Sequence, residues 1–128
     1  MLDSTSKIKH IVRNLKLEYE GFTLEDIVRD RKIMLLYNYD LKIDGAYGKF
    51  DISFGNDLFI SKQFIFIDSN LDYYNRRSVL AHKLGYAILH PDINTIDKNY
   101  MPIITDCKVK MQAEIFTSEF LLDDDSTF

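Results

Sequence analysis

From Tyr73 to Leu89 the chain carries Leu80, Leu84, Ala87 and Ile88 at helical spacing, with no breaker until Pro91. Proline ends such a run because the residue before it disfavours helical torsions. A helix of this kind must bury its apolar side, and the partners available are Ile65 and Ile67 from a strand and Phe116 and Phe120 from a later helix. These eight side chains are the expected core. The polar residues of the same helix are then also placed: His82 and Tyr86, four apart, stack on one face, and Lys83 lies beside them.

The rest of the chain supplies the layers. Ile8, Ile11, Val12 and Leu15 fall at spacings of three and four, predicting a helix from about Ser6 to Leu17 that Gly21 ends. Thr23-Leu24-Glu25-Asp26 has the form of a capping box and opens a short helix through Val28. Lys32 to Tyr39 reads as a strand, and Asp44-Gly45 and Gly48 read as turns. Phe50-Asp51-Ile52-Ser53-Phe54 alternates as a half-buried strand does, Gly55-Asn56-Asp57 turns the chain, and Leu58–Ile60 and Phe64–Ile67 are further strand material. The run Phe64-Ile65-Phe66-Ile67 is apolar on both faces and belongs at the centre of a covered sheet. Asp68, Ser69, Asn70 or Asp72 can cap the long helix. A polar connection from Asp92 to Pro102 leads to a last helix from about Thr105 to Leu122, with Val109, Ala113, Phe116 and Phe120 at helical spacing. The fold class is α+β, a small antiparallel or mixed sheet packed against four helices. Residues 1–122 form one domain, and 123–128 form an acidic tail, with Asp123, Asp124 and Asp125 expected to be solvated.

The net charge of −4 in 128 residues argues against a domain that grips nucleic acid directly. Arg76 with Arg77, and Lys108 near Lys110, read as ordinary solvated cations. Cys107 is the single cysteine, which excludes an intramolecular disulfide and a cysteine zinc knuckle and fits a reducing compartment. The start of the chain lacks the basic and apolar pattern of a secretion signal, and no run of about 18 apolar residues occurs, so the expectation is a cytoplasmic protein without a membrane span. Gly45, Gly48, Gly55 and Gly85 are too scattered for a phosphate-cradling loop.

A zinc-peptidase helix carries His-Glu-x-x-His, two imidazoles one turn apart on the metal and a carboxylate that activates water. The same five places here read His82-Lys83-Leu84-Gly85-Tyr86. The frame around them, Leu80-Ala81-His82 with Leu84-Gly85 and Leu89-His90, resembles the ImmA/IrrE family of metallopeptidases of phages and mobile elements. That resemblance implies a zincin-like minimal metallopeptidase scaffold and a later helix contributing the third zinc ligand. Its pattern, set on Ala113, Phe116 and Leu121, puts Lys110 in the ligand place, with Glu114 one turn further on.

The vestigial site is therefore His82, Lys83, Tyr86, Lys110 and Glu114, of which only His82 matches a ligand position. A phenol is a poor neutral ligand, and an ammonium cannot take a proton from water near neutral pH. At roughly 5 Å and an effective dielectric of about 20, a unit charge facing a divalent cation costs about 6–7 kcal/mol. His90 lies about 12 Å from His82 along the helix axis and cannot share its metal, and His10 belongs to the first helix. No catalytic residue and no bound metal are expected, with zinc as the alternative cofactor. The resemblance further implies a partner, a helix-turn-helix repressor. On this reading the chain is a non-catalytic pseudo-metallopeptidase that binds and modulates such a repressor. The alternatives are a zinc-dependent metallopeptidase that cleaves it with an atypical site, and a decaying prophage remnant.

Overall fold

The computed structural model describes residues 4–38, 41–53 and 55–122. Its first helix, α1 (Ser4–Glu18), buries Ile8, Val12 and Leu15 and packs on the last helix. Gly21, at φ +86°, makes the left-handed exit that a side chain resists. The capping box forms as the sequence predicts: Thr23 Oγ1 accepts from the Asp26 N–H at 3.1 Å, and Asp26 Oδ2 accepts from the Thr23 N–H at 3.3 Å. It opens α2 (Leu24–Asp30), which runs two residues past Val28.

Three strands follow, β1 (Met34–Asn38), β2 (Gly45–Ser53) and β3 (Phe59–Asp68), in the spatial order β1-β3-β2. β1 runs parallel to β3, with Met34 opposite Phe64 and Asn38 opposite Asp68. β2 runs antiparallel to β3, from Gly45 opposite Ile67 to Ser53 opposite Phe59. The sheet is thus mixed, and Phe64–Ile67 lies in its central strand. The two pieces expected at Leu58–Ile60 and Phe64–Ile67 are one strand. Tyr39 and Phe54, expected at strand ends, lie outside the described residues.

Gly45 and Gly48 are not turn residues; both sit inside β2. A Cβ on Gly45 would lie 2.6 Å from Val79 Cγ1 and 2.8 Å from the Phe66 carbonyl oxygen, and one on Gly48 would meet the Phe50 ring. These glycines mark close approach within a strand. The turn at Gly55-Asn56-Asp57 is real, with all three residues at positive φ.

The long helix, α3 (Tyr73–Leu89), has the bounds its sequence predicts. Asp72 caps it by accepting from the Asn75 N–H at 2.8 Å. The last helix, α4 (Cys107–Leu121), starts two residues after Thr105 because Asp106 is its cap, accepting from the Lys108 N–H at 2.8 Å. Leu80, Leu84, Ile65, Ile67 and Phe116 are fully buried, and Ala87 and Phe120 nearly so; Ile88 packs at the margin. The expected core is present.

The connection from Asp92 to Pro102 is more structured than its polarity suggests. Thr95 Oγ1 accepts from the Tyr47 N–H at 2.9 Å, the Thr95 N–H donates to the Tyr47 carbonyl at 2.8 Å, and Asn94 Oδ1 accepts from the Lys49 N–H at 2.8 Å. These bonds hold the segment along β2, and Ile96, bridged to Pro102, is buried in a second small cluster with Ala46 and Phe66. Among the described residues no helix is long and apolar enough to cross a membrane.

Candidate functional site

Gly85 sets the geometry. A Cβ there would lie 3.1 to 3.3 Å from three atoms of Phe116, so the missing side chain lets α3 and α4 approach closely. That approach brings the polar face of α3 against Lys110 and Glu114 of α4. The other wall comes from β2, where Gly45 admits Val79. Between them opens a cleft of about 470 Å³, bordered by Asp44, Ser78, His82, Lys83, Glu114 and Thr117.

The His82 and Tyr86 rings meet edge to face, centroids 5.2 Å apart at 72°. Lys83 Nζ lies 3.5 Å from His82 Nδ1 and 5.4 Å from the centre of the Tyr86 ring, a cation–π distance. The other imidazole nitrogen, His82 Nε2, is buried and without a hydrogen-bond partner. Such an atom is costly in a folded protein and calls for an explanation.

The electrostatics agree with a desolvated, cation-rich pocket. Burial, then the charges of Lys83 and Lys110, push the His82 pKa down from 6.5 to about 4. Burial, then Lys110, lowers Lys83 from 10.5 to about 8, with Asp44 opposing. Burial raises the Tyr86 phenol; a hydrogen bond from Thr105 opposes this and the Glu114 charge adds to it.

All five residues singled out from the sequence, His82, Lys83, Tyr86, Lys110 and Glu114, therefore act on one place. Their polar groups are only partly satisfied: Lys83 Nζ reaches His82 Nδ1, His82 Nε2 has no partner, and among the described residues neither Lys83 nor Lys110 is paired with a carboxylate. Glu114 is exposed at the rim, so Lys83 rests on the Tyr86 ring. His90 is held elsewhere, its Nε2 2.7 Å from Gln112 Oε1, and His10 faces Asn14 on α1. Asp44 and Thr105 were missed. Asp44 stands before a glycine that reads as a turn, and Thr105 acts only through the contact of α3 with the start of α4.

The donor set does not fit a protein-bound zinc. Zinc takes imidazole, thiolate or carboxylate in a closed set of three or four, and among the described residues no three His, Cys, Asp or Glu gather within reach of one ion. Among the described residues His82 Nε2 is the one buried, unpartnered imidazole nitrogen here, and the neighbouring charges of Lys83 and Lys110 are ammoniums.

The IrrE N-terminal-like domain, a peptidase family, matches residues 28–126. The metallopeptidase ImmA of Bacillus subtilis (strain 168) is 32% identical over 122 residues, covering 94% of this chain and 66% of that protein. Immunity region protein 2 of Bacillus phage phi105 is 37% identical over 62 residues, 48% of this chain and 39% of that protein. The chain thus spans less than two thirds of either relative. No solved structure matches it significantly.

Proposed function

Because the chain belongs to the ImmA/IrrE metallopeptidase family, we propose that it is a non-catalytic member, a pseudo-metallopeptidase that binds a helix-turn-helix repressor of a phage or mobile element and modulates it. The observation that carries this reading is the site's charge. Where a working enzyme places a carboxylate beside its metal-bound water, Lys83 sits 3.5 Å from the surviving imidazole, and Lys110 adds a second cation felt by both. An ammonium neither accepts the proton of a hydrolytic water nor tolerates a divalent ion nearby. The fold meanwhile keeps its full core, as selection for binding alone would require. The relatives support a regulatory setting: one is an immunity region protein of a phage and one a metallopeptidase. The cytoplasm, where such a repressor resides, is the compartment this reading requires.

A second reading has one observation in its favour: Glu114 borders the same cleft as His82, so a carboxylate and an imidazole share a wall and could serve a metallopeptidase with an atypical site. The two readings part in one experiment. The purified protein is assayed for zinc and mixed with the helix-turn-helix repressor encoded beside its gene. We expect sub-stoichiometric zinc, a stoichiometric complex and an intact repressor. Near-stoichiometric zinc with chelator-sensitive cleavage would overturn the pseudoenzyme reading, and no association would remove the repressor as partner.

A further inference from the structure

A cation taken out of water needs an anion or a set of acceptors, and Lys83 has neither in full. A surface lysine ordinarily lifts its ammonium into solvent. Lys83 is half-buried, and its Nζ lies instead 3.5 Å from His82 Nδ1 and 5.4 Å from the centre of the Tyr86 ring. One imidazole nitrogen and one ring face replace only part of the hydration that burial removes. Among the described residues no carboxylate comes within ion-pair distance of Lys83 or of Lys110, whose charge reaches both Lys83 and His82. Lys83 also borders the cleft of about 470 Å³, a volume within the range of ligand pockets, about 300–1,000 Å³. Thr117 Oγ1 already donates to the Ala113 carbonyl at 2.8 Å, which leaves Ser78 and Ser118 as the hydroxyl donors on the wall.

We propose that this cleft receives a carboxylate, the side chain of an aspartate or glutamate of the bound partner, which pairs with Lys83 in the field of Lys110 and accepts a hydrogen bond from Ser78. The proposal rests on the reading of the cleft as one that holds a partner without cutting it. The class of anion follows from the border. Asp44 and Glu114 stand there too, and they oppose a phosphate dianion or a run of nucleic-acid phosphates, on a chain whose net charge is −4. A single carboxylate brings one negative charge to two ammoniums and forms the stronger kind of hydrogen bond, between ionised donor and ionised acceptor. Glu114 is the internal rival. It is exposed and lies one turn from Lys110 on α4, within reach of it at that spacing, so it competes with an incoming acid. A partner must therefore present an exposed acidic residue, and its amide keeps the shape while removing the pair.

The test titrates two tripeptides, Gly-Glu-Gly and Gly-Gln-Gly, both acetylated and amidated, and inorganic phosphate into the labelled protein. Amide NMR signals of Ser78, Lys83 and Thr117 are followed. We expect saturable shifts with the glutamate peptide, at an affinity about tenfold or more above that of the glutamine peptide. Lys83→Met should abolish that preference, Lys110→Met on its exposed site should weaken it, and Glu114→Gln should strengthen it. Equal shifts from the two peptides, or a preference unchanged in both lysine variants, would overturn the proposal. Phosphate binding more tightly than the glutamate peptide would overturn it in favour of a phosphate site. Mixing the adjacent repressor with the parent and with Lys83→Met separates this from the reading it rests on. Equal complexes with both would overturn the carboxylate pair and leave the repressor as partner. Glutamate-selective shifts without any complex would uphold the site and remove the repressor.

Discussion

Lys83→Met should stabilise the protein at neutral pH. The substitution keeps the length and apolar stem of the side chain and removes the ammonium. In the folded state burial and Lys110 hold the Lys83 amine at about 8, against an ordinary 10.5. At ~1.4 kcal/mol per pKa unit, that gap is worth about 3 kcal/mol against the charged form. Lys83 is only partly buried by surface area, so water reclaims part of the cost, and a gain of about 1–3 kcal/mol is expected at pH 7. The sign follows from proton counting. Between about 8 and 10.5 the unfolded chain holds a proton that the folded one has released, so parental stability rises with pH across that window. Below pH 8 the penalty is full; above 10.5 both states are neutral and it is gone. Urea titrations of parent and variant at pH 7 and pH 10.5 measure this directly, with the difference shrinking to under about 1 kcal/mol at the higher pH. A variant no more stable than the parent at pH 7, or equally favoured at both pH values, would refute the desolvated, cation-facing environment on which the site's interpretation rests.

The mirror case is His82: it stays neutral down to about pH 4 in the fold while an unfolded imidazole protonates at 6.5, so stability is lost as pH falls through that window. His82→Phe should flatten that acid limb in a denaturation series, and an unchanged limb would place the loss elsewhere. Leu84, fully buried in the main core, should cost about 2–5 kcal/mol on truncation to alanine; a loss below about 1 kcal/mol would mean the helix face is misassigned. Lys83→Glu, Tyr86→His and Lys110→Glu together should raise zinc affinity over the parent in a competitive chelator titration, since two cations become carboxylates and an imidazole is added. Equal, negligible affinity in both proteins would remove Lys110 from the ligand position.

Local chemistry was legible in the sequence, and tertiary chemistry was not. The capping box at Thr23 and Asp26 and the bounds of α3 depend on residues within a turn of one another, so spacing alone suffices. Gly45 and Gly48 were misread because a glycine reports equally on a turn and on a close neighbour, and only Val79 and the Phe50 ring decide which. The continuity of β3 was hidden by Ser61-Lys62-Gln63: Ser61 lies on the exposed end of the β2–β3 hairpin, and Gln63 is polar because its amide donates to Tyr47 Oη and the Ala87 carbonyl. At the site, the spacing of His82, Lys83 and Tyr86 on one helix placed them together, and the family pattern added Lys110 and Glu114. The buried, unpartnered Nε2 of His82 had no sequence signal, since its surroundings are set by residues distant in sequence.

The order β1-β3-β2 carries a kinetic consequence. β2 and β3 are joined by the five residues 54–58 and zip locally, on the microsecond scale of hairpins. β1 precedes that hairpin yet pairs with its far strand, so its parallel register, Met34 on Phe64, closes a loop that contains the whole of β2. Loop closure of that kind is met only after the local contacts are made. The sheet therefore assembles from the β2–β3 hairpin outward and is completed at β1.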